Sequence, residues 1–193
     1  MMFEEGNRLR AIYGPENVFD FSLGNPNVPA PKAVKQAILD ILDEEDELVL
    51  HGYTNSNAGY EDVRQAVAES LNERFGTAFA AKNITMTVGA AGGLNVILKA
   101  LLNPGDEVLI PQPSYVSYLP CTILADGNPV VIPLQEKNEF KLTAEELEAA
   151  ITPKTKMLVM PFPNNPTGSI MTKEDLEPIA EVVKRHDLYV LSD

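Results

Sequence analysis

From Phe79 onward the chain alternates between two kinds of apolar pattern. Residues 84–88 alternate as a strand, and residues 107–110, 129–134, 156–160 and 188–191 are short, near-continuously apolar runs, the signature of strands buried on both faces. Between them the apolar positions change to helical spacing. Leu94, Ile97, Leu98, Leu101 and Leu102 mark one helix, closed by Asn103-Pro104-Gly105-Asp106, and helices are predicted over 115–125, 143–151 and 173–186, the last from Leu176, Ile179, Ala180 and Val183. Thr143 with Glu146 and Thr172 with Asp175 have the spacing of capping boxes, which fixes two helix starts. Strands alternating with helices predict an α/β fold: three layers, a mostly parallel sheet with helices on both faces.

Upstream, Val34, Ala37, Ile38, Ile41 and Leu42 form one helical face over 32–42, and Val63, Ala66, Val67, Leu71 and Phe75 form another over 60–75. Residues 1–22 read as an extended arm with one short helix, ending in a strand-like stretch over 18–23. Residues 24–31 form a loop rich in turn residues. The acidic run 43–47 reads as a solvated helix end rather than a metal site, and His51 as a loop histidine. The expected domain division is an arm with the start of a small domain over 1–45, then the first part of a larger domain over 46–193.

The chemistry gathers where strands end. Residues 161–168 read Pro-Phe-Pro-Asn-Asn-Pro-Thr-Gly, a loop whose three prolines fix φ and remove backbone donors, leaving side chains and carbonyls to act. Gly168 closes the loop where φ can turn positive. Residues 89–93, 111–115, 161–168 and 192–193 all follow predicted strands, so in a parallel sheet they meet on one rim, where α/β proteins bind ligands. The small run Gly89-Ala90-Ala91-Gly92-Gly93 suits a phosphate at a helix start, and equally suits tight packing. Tyr115 suits stacking on a planar ring, and equally suits a core. Asn165 offers an amide to a phenolate oxygen, and Asp193 a carboxylate to a protonated ring nitrogen. Taken together, these four demands describe pyridoxal phosphate.

Composition narrows the partners. The 193 residues are 45% hydrophobic, enough for a substantial core, and carry a formal net charge of -13, which argues against nucleic acid and anionic membrane surfaces. The single Cys121 fits a reducing compartment, and the acidic N-terminus lacks the form of a secretion signal, so a cytoplasmic location is expected.

From about Leu23 to Asp193 the chain resembles the fold-type I pyridoxal-phosphate enzymes, specifically the class I/II aminotransferases of the aspartate aminotransferase type. Asn164-Asn165-Pro166-Thr167-Gly168 followed by Leu191-Ser192-Asp193 carries the resemblance most specifically. It implies the large domain of that fold, incomplete here, and amino transfer between an amino acid and a 2-oxo acid. By resemblance, Leu23-Gly24-Asn25-Pro26 is the substrate loop, with the Gly24 backbone at the substrate carboxylate. Ala90 and Ala91 give backbone N–H groups to the cofactor phosphate. Tyr115 stacks on the pyridine ring, Asn165 binds its 3-oxygen and contacts substrate, and Asp193 pairs with its nitrogen. Tyr53, spaced from Gly59 and Arg64 as in the family, reaches the phosphate of a neighbouring subunit and implies a homodimer. The family's bond before the proline of Asn-Pro-Thr-Gly is often cis, here Asn165-Pro166. The Schiff-base lysine of the family lies beyond the Asp193 position, so the chain is expected to be an inactive, poorly folded fragment. A carbon-sulfur β-lyase, a decarboxylase or a ligand-sensing domain would keep the same motifs.

Overall fold

The computed structural model describes residues 1–193 except Met1, Asp20, Ser22, Leu23, Asn25, Pro26 and Asn27, and gives Met2 and Phe3 as backbone only. The chain divides into two compact units, Met1–Tyr53 and Thr54–Asp193. In the first, α1 (Met2–Tyr13) is followed by a 3-10 turn, Pro15–Asn17, then α2 (Lys32–Glu44) and α3 (Glu47–His51). The acidic run is divided between two helices. Asp43 and Glu44 close α2, and Asp46 caps α3 by accepting the Leu48 N–H at 2.8 Å. Val18, Phe19 and Phe21 are outside any strand, and the rest of the strand-like stretch lies outside the described residues.

The second unit begins with α4 (Glu61–Phe75), which ends on Gly76 at φ 65°, the left-handed conformation that glycine adopts without strain. Then come α5 (Gly89–Leu101), β1 (Glu107–Gln112), α6 (Tyr118–Leu124), β2 (Asn128–Pro133), α7 (Ala144–Ala150), β3 (Thr155–Met160), α8 (Lys173–Arg185) and β4 (Tyr189–Ser192). Both capping boxes form: Thr143 and Thr172 each accept from, and are reached back by, the residue three positions on.

Two boundaries differ from the sequence pattern. The small run 89–93 is the first turn of α5, ahead of its apolar stripe, and α6 opens at Tyr118 because residues 116 and 117 form a turn. One predicted element is absent. Residues 84–87 are extended, with Ile84 at φ -108° and ψ 135°, but the Ile84 N–H closes the preceding 3-10 turn on Ala81 O at 3.1 Å and the Met86 N–H donates to Ala58 O at 2.9 Å, neither of them in a strand. A strand requires a neighbour to complete its ladder, and none of the described strands runs beside this one.

The four strands form one parallel sheet in the order β2-β1-β3-β4. Alternate residues sort to its two faces. Val108, Ile110, Met157 and Val159 pack with Leu94 and Leu98 of α5 and Tyr118 and Cys121 of α6. Leu109, Leu158 and Met160 point the other way, onto Leu147 of α7 and Ile179 and Val182 of α8. The fold is therefore the expected three-layer α/β arrangement. Burial of each such side chain contributes about 1.5–3 kcal/mol, against about 0–1 for exposed pairs such as Lys184–Glu181, so the two apolar layers hold it together. Among the described strands β4 pairs with β3, and its Tyr189 and Val190 are half exposed.

Candidate functional site

Because β1, β3 and β4 are parallel, their carboxyl ends bring residues 111–115, the loop 161–168 and Asp193 to one rim. Asp193 is tied there by its N–H, which donates to Met160 O at 3.3 Å. The loop is built on Asn164, only 5% exposed. Its N–H donates to Ser169 O and its carbonyl accepts from Gly168, both at 2.8 Å. Its side-chain Oδ1 accepts from the Thr167 N–H at 3.3 Å, and its Nδ2 donates to Pro113 O at 3.2 Å, which joins the two loops of the rim. Gly168 sits at φ 72°, the turn the sequence requires of it. The Asn165-Pro166 bond is cis, as are Phe162-Pro163 and Gln112-Pro113.

Asn164 is thus committed to the loop, and its neighbour Asn165 is exposed and available. A cavity of about 270 Å³ is lined by Tyr115, Tyr118, Pro161, Pro163, Asn165 and Asp193. Three residues singled out from sequence, Tyr115, Asn165 and Asp193, therefore share one space. Tyr118 is the member that sequence reasoning missed. Its ring is 3% exposed and meets Tyr115 edge to face, with centroids 5.6 Å apart and planes at 84°. Its hydroxyl donates to Asp193 Oδ2 at 2.6 Å. Burial, and next the Asp193 carboxylate, push the Tyr118 phenol well above its usual range, so it stays a proton donor. The available signal was its position three residues after Tyr115, which also fits an ordinary core position.

The other expected residues lie elsewhere. Ala90 and Ala91 are exposed on the first turn of α5, where backbone N–H groups have no intrahelical acceptor, and they do not line the cavity. Gly24 and Tyr53 belong to the first unit and are both exposed; Leu23, Asn25 and Pro26 lie outside the described residues. Arg64 is buried and bound to backbone, donating from Nε to Gly59 O at 3.1 Å and from Nη1 to Ala81 O at 2.8 Å. Among the described residues no lysine lines the cavity. Lys99 pairs with Asp126 at 2.5 Å and Lys173 with Glu177 at 3.7 Å.

A second cavity of about 290 Å³, lined among others by Phe162, Ile170, Met171, Leu176 and Val190, is mainly apolar, with Ser192 as the polar side chain of its lining. Among the described residues no three His, Cys, Asp or Glu side chains gather as a metal site, and no helix is long and apolar enough to cross a membrane.

A parallel sheet that carries a carboxylate, an amide and two phenols at its strand ends is the large-domain architecture of one class of enzymes. The chain belongs to the aminotransferases of class I and II, the pyridoxal-phosphate-dependent family, whose model matches residues 16–193. It is similar to aromatic-amino-acid aminotransferase 2 of Thermococcus litoralis, 40% identical over 183 residues that cover 93% of this chain and 45% of that protein. It is also similar to the aspartate aminotransferase of Pyrococcus abyssi, 41% identical over 181 residues, 93% of this chain and 45% of that protein. An aminotransferase structure from Eubacterium rectale superposes with a TM-score of 0.90 at 34% identity, covering 99% of this chain and 49% of that one. The chain spans about half the length of the relatives it matches.

Proposed function

We propose that the chain forms part of a pyridoxal-phosphate-dependent aminotransferase that moves an amino group between an amino acid and a 2-oxo acid, with the cofactor ring held in the cavity of Tyr115, Asn165 and Asp193. That these three side chains line one space is the observation that carries the reading. The donor set suits the group. Asp193 is the charged side chain of the lining and suits a protonated ring nitrogen, Tyr115 gives a ring face, and the Asn165 amide donates to an anionic ring oxygen and reaches the substrate. When bound, the cofactor supplies an electron sink for the pair left as the substrate loses its α-proton.

The chain's own residues set the conditions for that chemistry. Asp193 holds the proton on the ring nitrogen, Tyr115 and the prolines fix the ring plane and exclude water, and Asn165 fixes rotation within that plane. Ala90 and Ala91 are assigned to the phosphate through first-turn N–H groups, Gly24 to the substrate carboxylate through its backbone, and Tyr53 to the phosphate of a second subunit in a homodimer. Ala90 and Ala91 are not in the cavity lining and Gly24 and Tyr53 belong to the other unit, so these four assignments rest on sequence resemblance and on the exposure of each residue. Covalent attachment is assigned to no lysine of this chain. The names of the relatives, all aminotransferases, give no support to the lyase, decarboxylase or sensing alternatives.

The test is amino transfer from aspartate and from aromatic amino acids to a 2-oxo acid, with and without added pyridoxal phosphate, in the protein and its Asp193→Asn variant. Loss of the carboxylate is expected to lower the rate by roughly 10²-fold or more, as for other preorganised charges in active sites. A cofactor-dependent rate that is the same in Asp193→Asn would overturn the assignment.

A further inference from the structure

We propose that Tyr118 is a positioning residue that aims Asp193. Its hydroxyl occupies one carboxylate oxygen and leaves the other directed at a cationic N–H ring. The inference rests on the reading of the cavity as a pyridoxal-phosphate site, and adds a residue that contacts the carboxylate rather than the ring.

The need for such a residue follows from where Asp193 stands. It follows β4, which among the described strands pairs with β3, and its backbone N–H reaches Met160 O over 3.3 Å, at the long end for such a bond. A short carboxylate side chain in that position has several rotamers open to it. Tyr118 removes that freedom. Its O–H···Oδ2 contact of 2.6 Å is in the short range of charge-assisted bonds. The ring that carries the hydroxyl is itself fixed, packed in the layer of Leu94, Leu98 and Cys121. Its backbone carbonyl is bound as well, accepting from Thr122 Oγ1 at 2.8 Å.

The bond also has one possible direction. Because burial keeps the phenol protonated, Tyr118 donates and Asp193 accepts. Among the described residues that line the cavity the titratable groups are Tyr115, Tyr118 and Asp193, with no cation to compete for the carboxylate. Oδ1 has no described partner and is the atom left for the ligand.

Two ligands that need no lysine separate positioning from general support of the pocket: pyridoxamine 5′-phosphate, and its 1-deaza analogue with carbon in place of the ring nitrogen. On the full chain, Tyr118→Phe is expected to weaken pyridoxamine 5′-phosphate about tenfold, the scale of one hydrogen bond to a charged group, and to leave the deaza analogue unchanged. In an Asp193→Ala background the same substitution should have no effect on either ligand. Equal weakening of both ligands, or a Tyr118→Phe effect that persists without Asp193, would show that the tyrosine only supports packing. A wild-type chain that binds the two ligands equally would remove the cofactor reading itself, and this inference with it.

Discussion

Asn164 and Asn165 are adjacent and chemically identical, yet one is buried in four hydrogen bonds and the other faces the cavity. The sequence reading assigned the ligand-facing amide to Asn165 but left the part of Asn164 unread, because its acceptor is a carbonyl 51 residues away, that of Pro113. Tyr118 was hidden for a similar reason: its partner lies 75 residues on. Tyr115, Asn165 and Asp193 were legible because each stands at a strand end next to a turn. The division of work is testable by stability. Asn164→Ala leaves the Pro113 carbonyl and the Thr167 N–H without their side-chain partner, at a cost of about 1–3 kcal/mol in urea unfolding. Asn165→Ala, at an exposed position, should change it by less than about 0.5 kcal/mol.

Helices were the best-read elements, since a 3.6-residue stripe and a capping box are local. α7 and α8 start where Thr143 and Thr172 place them. The stretch 84–88 has the right residues and the right extended backbone, but pairing is a property of two segments, and one of them is not beside it. At α8 the cap adds a dependence on acid. The Thr172 N–H, and next Lys141, hold the Asp175 carboxyl below its ordinary value of 3.8. A depressed carboxyl pKa stabilises the folded chain above that ordinary value, and the contribution disappears as pH falls through the lower, folded-state one. Melting curves of Asp175→Asn should therefore lie below those of the native chain at neutral pH and converge with them in strong acid. A gap that stays constant with pH would count against this account.

Over the whole molecule, a parallel sheet covered on both faces was legible from continuous apolar strands interleaved with helices. The order β2-β1-β3-β4 was not, because fully buried strands look alike whichever neighbour they take. Charge acts at this scale too. A chain of formal charge -13 repels a phosphate-bearing ligand until solvent ions screen the field over about 10 Å at 0.1 M salt. The association rate of pyridoxal phosphate, followed by stopped-flow absorbance, should rise as sodium chloride is added. A falling rate would mean that a local positive potential outweighs the net charge.

One side chain belongs to both the interior and the rim. The ring of Tyr118 is a stone in the wall that Leu98 and Cys121 also build, while its hydroxyl donates to the Asp193 carboxylate at the rim. If the proposed aiming of Asp193 holds, a methyl group gained or lost beside Cys121, away from the cavity, would reach a bound ring as a change of aim.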